Sequence, residues 1–464
     1  MASNQAGAST QAGTSTQAGL TQALGQFVAE LSPNKLPEEA VRIARMGFID
    51  CIGTMIAGRN DPAPQILRKV LDPAAGPASL YFSELRSTAP EAAWINGTAA
   101  HALDYDDVGL RGHPSTVLVP AILAEAEQLG SSGADMIVAY IAGYETWAEL
   151  YRRDSGLHHA KGWHPTGIFG AIGAAAACAS LRRLDPTRAA MAISLGASQS
   201  AGIMANFGTM TKPFHAGRSA HAGVMAARLA EAGFTSNLDA LEHPQGFLHA
   251  VSPAGKEDRT SATILGQNWA IISQGLSIKK YPTCYCTHRA IDAALGLVNA
   301  NPLKPEDVKK ITVNISDYFS TVLRNHAPQT GLAAKFSIEF AMSSAIVAKR
   351  VGLAELTDGF VQTKAIQDLM GRVETVTGTE YDPDMPGAAP FDQMRVETTD
   401  GRTLTSEPVR RARGHAVRPL SDSELYDKFA DCLDAGASRI TAETLFGRLQ
   451  SIQRITARDL TSLN

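Results

Sequence analysis

The sequence predicts a large all-helical domain joined to a smaller α+β lid domain, a mainly α fold with an α+β second domain. Three observations lead there. The chain has 464 residues, more than one hydrophobic core usually organises, so two domains are expected. From Leu20 to Asn268 apolar side chains recur at three- and four-residue spacing with few strand signals, the pattern of helices that bury one face. After Trp269 the pattern changes to alternation and tight-turn chemistry, which marks strands.

Residues 1–19 repeat Gln-Ala-Gly at Gln5, Gln11 and Gln17 between Ser and Thr, with almost no large apolar side chain. Such a segment cannot offset the entropy of ordering and is expected to be a disordered tail. It also lacks the basic start and apolar core of a signal peptide. Helical periodicity then marks Leu36 to Ile56, Ala92 to Leu103, Pro120 to Leu129 and Met136 to Leu150. Pro37, Glu38 and Glu39 put proline and acid in a first turn, where the positive end of the helix dipole favours them. Gly167 to Leu181 and Ala216 to Gly233 are so rich in Ala and Gly that neighbouring backbones are expected to approach them closely, deep in a helical bundle.

Residues 20–268 therefore read as the first part of the helical domain, and residues 269–410 as the lid. Within the lid, Lys310 to Ile315 alternates like a half-buried strand and Met394 to Thr405 reads as a hairpin closed at Asp400-Gly401. Helices are expected at Phe336 to Lys349 and Ala365 to Val373, and Asp382 to Pro390 reads as a surface loop. Residues 411–464 return to helical periodicity from Ser421 to Leu460 and are expected to pack back on the first domain.

Composition narrows the function. With 44% hydrophobic and 19% charged residues and a net charge of -4, the chain has no basic footprint for nucleic acid or for an anionic membrane, so an anion site must be a local concentration of Lys, Arg and His. No stretch reaches the roughly 18 consecutive apolar residues that span a bilayer. Five cysteines, an odd number without regular spacing, agree with a reducing compartment. A soluble, cytoplasmic enzyme is the expectation.

Four short clusters concentrate the chemistry: Asp104 to His113, Gly162-Trp-His-Pro-Thr166, Thr211-Lys-Pro-Phe-His215 and Lys279-Lys-Tyr-Pro282. In the first, a helix ends among Asp104, Asp106 and Asp107, and a short loop carrying Arg111 delivers His113 just before a proline that opens the next helix. A solvated helix end is the plainer alternative. His164 lies near a helix N-terminus, where the dipole disfavours imidazolium and suits an imidazole exchanging protons near neutrality. The segment around Lys212 repeats that build, and Lys279 falls at the domain junction, a preferred place for ligands. Cys284, Cys286 and His288 would share one face if extended, but the spacing is a weak zinc signal, and the first cluster lacks a second His at i+4. Gly167 to Gly173 does not fit a dinucleotide fingerprint. No metal and no cofactor are expected.

His101-Ala-Leu-Asp-Tyr-Asp-Asp107 with His113-Pro-Ser, Gly162-Trp-His-Pro-Thr166, Gly208-Thr-Met-Thr-Lys-Pro213, Lys279-Lys-Tyr-Pro-Thr-Cys284 and Ala334-Lys-Phe-Ser337 resemble, in order and spacing, the MmgE/PrpD family, whose members include 2-methylcitrate dehydratase, cis-aconitate decarboxylase and iminodisuccinate epimerase. The resemblance covers the chain from about Leu20 onward. It implies a homodimer with cofactor-free acid/base chemistry in the cleft between the domains. Carried over by position, it implies active-site roles for Asp104, His113, His164, Lys212 and Lys279. The decarboxylase pattern has Thr where this chain has Val108 and a loop one residue longer before the first histidine; it has Tyr where this chain has Val322 and His where it has Cys284. Those departures speak against decarboxylation, whereas Arg111-Gly-His-Pro-Ser and Asn206 to Pro213 look closest to the epimerase.

The reaction types explain the residue types. Removing a proton α to a carboxylate builds enediolate charge, which Lys212 and Lys279 suit, with Arg111 a helper in substrate binding. His113 and His164 are the natural pair for moving protons, Asp104 orients one imidazole, and Tyr144 and Tyr281 are reserve acids. The expected activity is dehydration of a small hydroxy-polycarboxylate. An epimerase of an imino- or amino-dicarboxylate and a non-catalytic carboxylate-binding dimer are the alternatives. The expected partner is a small di- or tricarboxylate.

Overall fold

The computed structural model describes residues 18–154, 156–262 and 264–463; the tail expected at the N-terminus lies outside them up to residue 17. The chain runs through α1 (Leu20–Glu30), α2 (Glu38–Gly58), α3 (Pro62–Leu71), α4 (Ala89–Ala102), α5 (Ser115–Leu129), α6 (Gly133–Arg152), α7 (Pro165–Leu181), α8 (Pro186–Ser198) and α9 (Thr211–Glu231). Among the described residues of this half the only strands are Ala78–Ser79 and Arg86–Ser87, one short antiparallel ribbon. α7 and α9 are the Ala- and Gly-rich helices, and their composition sets the packing distance. A Cβ at Gly217 would stand 2.1 Å from the Trp94 carbonyl oxygen of α4, and one at Gly223 would stand 2.3 Å from the Ala174 Cβ of α7. Only glycine lets these helices approach so closely.

The lid is built on α10 (His288–Ala300), β1 (Val308–Ser316), α11 (Ile338–Val347), α12 (Lys364–Met370), β2 (Val373–Gly378), β3 (Gln393–Thr398) and β4 (Thr403–Thr405). Its sheet has the order β2-β1-β3-β4, with β1 and β2 parallel and the other pairs antiparallel. The hairpin forms with Val396 opposite Leu404 and Gly401 at φ +90°, as its Asp-Gly turn requires. Strand β2 begins at Val373, where the sequence suggested the end of a helix; it is an edge strand whose side chains are mostly exposed, so it lacks the apolar alternation that reveals a half-buried strand. Asp382 to Pro390 is a loop, yet Asp382 is buried and paired with Arg410 and Arg411.

α13 (Asp422–Ala435) and α14 (Ala442–Gln450) bring Phe429, Leu433, Leu445 and Leu449 into the core of the helical body. Apolar side chains switch cores between Ile278, which packs in the body, and Tyr281, which packs in the lid. Lys279 stands at that switch. Among the described residues no helix is long and apolar enough to cross a membrane.

Candidate active site

The end of α4 positions the first acid. After Leu103 the chain turns through Asp104 at φ +52°, a left-handed conformation that aspartate tolerates better than most residues and that often marks a functional turn. The loop is then strapped in place: Val108 and Ser277 exchange backbone hydrogen bonds at 2.8 and 2.9 Å, and Lys428 of α13 donates to the Tyr105 carbonyl at 2.7 Å and pairs with Asp50 at 2.5 Å. All three acids of the loop are buried, which disposes of a solvated helix end.

Asp104 Oδ1 takes two ammonium groups, Lys212 Nζ at 2.6 Å and Lys279 Nζ at 2.9 Å; Lys279 also donates to the Asp104 carbonyl at 2.7 Å. Burial alone would raise this carboxyl, but the two lysines outweigh it and hold it well below the ordinary range. Lys279 is raised in turn, because Asp104 and Asp106 overcome the burial that opposes its charge. The role found for Asp104 is thus to fix two cations rather than to orient an imidazole.

Orientation falls to Asp106, which sequence reasoning left without a role. Its Oδ1 lies 2.8 Å from His101 Nδ1 and its Oδ2 2.7 Å from His113 Nδ1. His113 Nδ1 also lies 2.9 Å from the Asp107 carbonyl oxygen. All of these neighbours are acceptors, so Nδ1 of both rings carries the proton and Nε2 is the free lone pair in the neutral form. Burial lowers His101 to about 4 despite Asp106. Although burial opposes its charge, Asp106 is held well below the ordinary range by its two imidazole partners. Asp107 behaves oppositely: burial first, then Asp50 and Asp106, push it well above the ordinary range against the opposing influence of the Ser115 hydroxyl. Asp107→Asn is therefore expected to leave thermal stability within about 1 kcal/mol of the parent, whereas Asp106→Asn should lower activity about 10²-fold or more. Thermal melts and initial rates of both variants check this, and equal damage from both would refute it.

His164 is the N-cap residue of α7, with its ring against His215 at Nδ1 to Nδ1 3.1 Å. Burial first, then Lys212 and the neighbouring imidazoles, lower it well below the ordinary histidine value. The neutral imidazole expected near a helix N-terminus is present, with burial as the main cause. Ring centroids of His113 and His164 stand 4.4 and 6.2 Å from that of His101.

Other expected residues are engaged elsewhere. Arg111, at φ +59°, turns its guanidinium over the Tyr151 ring and donates to the Gly156 carbonyl at 2.8 Å, so the turn that carries it directs it away from the Asp104 pair. Tyr144 donates to the Gly275 carbonyl and Tyr281 to Asp292, which leaves neither as a spare acid. Cys284, Cys286 and His288 do not form an extended face: Tyr285–Thr287 is a 3-10 turn and His288 opens α10.

A cavity of about 320 Å³ lies between the domains, lined on the body side by His101, Asp104 and Lys212 and on the lid side by Leu332, Lys335 and Phe336. His101, Asp106, His215 and Lys335 are the site residues that sequence reasoning passed over. All four lay in quoted motifs but carried no assigned role. His101, Asp104, Asp106 and His113 bring donor atoms within 4.8 Å of one another, a spacing that suits a cation. Their Nδ1 and carboxylate oxygens are already engaged with one another and with two lysines, so a divalent ion would have to displace Lys212 and Lys279 from Asp104. Activity is expected to survive exhaustive chelation, and loss restored by one added metal would reverse this reading.

Family models match nearly the whole chain: the MmgE/PrpD N-terminal domain over residues 22–259 and the MmgE/PrpD C-terminal domain over residues 281–445. Similar curated proteins are the cis-aconitate decarboxylases of Homo sapiens, 26% identical over 94% of this chain and 92% of that protein, and of Mus musculus, 25% identical over 94% and 91%. The cis-aconitate decarboxylase of Aspergillus terreus is 24% identical over 88% of each chain.

Proposed function

The chain belongs to the MmgE/PrpD family, and from that premise we propose that it is a lyase acting on a small tricarboxylate, of the dehydratase type. One observation carries the reading: Lys212 and Lys279 converge on Asp104 beside a cluster of imidazoles, at a cavity between the domains that Asp104, Lys212 and His101 line. A mere binder needs the cations but has no use for an Asp106–His113 dyad facing a second imidazole pair. In the proposed reaction His113 Nε2 takes the proton α to a carboxylate, and the enediolate charge settles against Lys212 and Lys279. The electron pair then forms the C=C bond as the C–O bond breaks, and His164 protonates the hydroxyl, which leaves as water. That step needs His164 to carry its proton on Nε2, the tautomer set when His215 Nδ1–H donates to His164 Nδ1.

Decarboxylation is the second reading, favoured by the names of the relatives. There CO₂ leaves, the electron pair enters the remaining carboxylate system, and a histidine returns a proton to carbon. Val108, Val322 and Cys284, where the decarboxylase pattern has Thr, Tyr and His, speak against decarboxylation. Incubation with 2-methylcitrate and with cis-aconitate, followed by NMR, tests the proposal. Loss of water with a new C=C bond supports it, and stoichiometric CO₂ moves the assignment to decarboxylation. Inversion without an alkene points to an epimerase, and bound but unchanged acids overturn enzymatic activity. Lys212→Met or Lys279→Met is expected to weaken carboxylate binding by roughly 1.5–3 kcal/mol each, the size of a charge-assisted contact, measured by calorimetry; unchanged affinity in both would remove them from the site. The proposal includes a homodimer, which sedimentation would check.

A further inference from the structure

Lys335 is the third lysine of the cleft and the one without a counter-charge. Its residue is only 7% exposed, and it lines the same cavity as Asp104 and Lys212 from the opposite, lid side. Lys212 and Lys279 each rest on Asp104. The Lys335 ammonium makes no hydrogen bond or ion pair with any described residue, yet it is not sealed away among the partnerless buried atoms. Its backbone is fixed: the Lys335 N–H reaches the Gly331 carbonyl at 3.3 Å, and the Lys335 carbonyl accepts from Cys284 N–H at 2.9 Å. A long cation held in place, largely desolvated and unpaired is costly unless an anion arrives to meet it.

We propose that Lys335 is a specificity-determining residue, binding the substrate carboxylate that faces the lid and so selecting tricarboxylates over dicarboxylates. This rests on the tricarboxylate reading above. The body then supplies the cations for the reacting end of the substrate and the lid supplies one for its far end. The charged groups facing Lys335 are Asp61, Asp104, Lys212 and Lys279. Burial, the largest influence, lowers its amine to about 8 while Asp104 and Asp61 oppose the shift. Contact with a carboxylate requires the protonated amine, so in the free enzyme the contribution is present below about pH 8 and fades as pH rises through that value.

Matched ligands test the assignment. Tricarballylate carries three carboxylates, and methylsuccinate is the same skeleton with one terminal carboxylate replaced by hydrogen. By calorimetry at pH 7, Lys335→Met is expected to weaken tricarballylate about 10- to 100-fold while methylsuccinate stays within about threefold, and Lys335→Arg should retain most of the discrimination. Equal losses for both ligands, or an unchanged preference, would overturn the proposal. Should Lys335→Met fail a thermal-unfolding check, the wild-type enzyme decides: its preference for tricarballylate should shrink between pH 7 and 9, and a constant ratio would overturn the assignment. If the wild-type enzyme binds neither acid, the tricarboxylate reading itself fails, a result distinct from lost discrimination at Lys335.

Discussion

Asp104→Asn is expected to slow turnover at least about 10²-fold and to lower stability by about 3–5 kcal/mol, the usual cost of stripping the partner from a buried pair. The geometry sets the size: one carboxylate oxygen holds Lys212 and Lys279 at 2.6 and 2.9 Å, and asparagine leaves both ammonium groups buried without a counter-charge. Carboxylate ligands should bind the variant at least as tightly as the parent, because the freed lysines then seek an anion. The pH dependence has a definite sign. Asp104 is held below its ordinary value in the fold, so its stabilisation is present above about pH 4 and is lost as pH falls further toward the folded value. The stability gap between parent and variant should therefore narrow in acid. Denaturant melts at several pH values and steady-state rates measure both effects; parent-like turnover would contradict the account.

The second large effect concerns the imidazoles. His113→Gln and His164→Gln are each expected to lower turnover about 10²-fold or more with the fold retained, the usual scale for one general acid or base. His113 depends on Asp106 and His164 on His215, so these second residues are positioning groups whose loss should alter the pH profile of the rate as well as its height. Turnover near normal in both glutamine variants would move the proton transfer to His101, which lines the cavity and whose ring centroid stands 4.4 and 6.2 Å from those of His113 and His164.

Much of this was legible in the sequence because the chemistry sits in short motifs. The helical body, the alternating strand at Val308–Ser316 and the Asp-Gly hairpin followed from periodicity and turn chemistry. Asp104, Lys212 and Lys279 meet as one unit although more than a hundred residues separate the aspartate from either lysine. What was illegible depends on direction. Nothing in Arg111-Gly-His113 says that the arginine turns outward to Tyr151 while the histidine turns inward to Asp106. Asp106 and Asp107 are neighbours of one type, yet burial and partners shift them in opposite directions. The edge strand at Val373–Gly378 shows mostly exposed side chains and so leaves no apolar alternation to read. Lys335 stood in a recognised motif, but its lack of a partner appears only once the lid is placed over the body.

The central claim, that His113 and His164 move a proton at a carbon next to a carboxylate, is tested most directly by exchange in heavy water. Enzyme incubated with the proposed tricarboxylate substrate in deuterium oxide is predicted to place deuterium on that carbon, seen by NMR, with exchange reduced about 10²-fold or more in His113→Gln and in His164→Gln. Exchange at the parent rate in both variants, or no deuterium in the acid or its product with the parent enzyme, would contradict it.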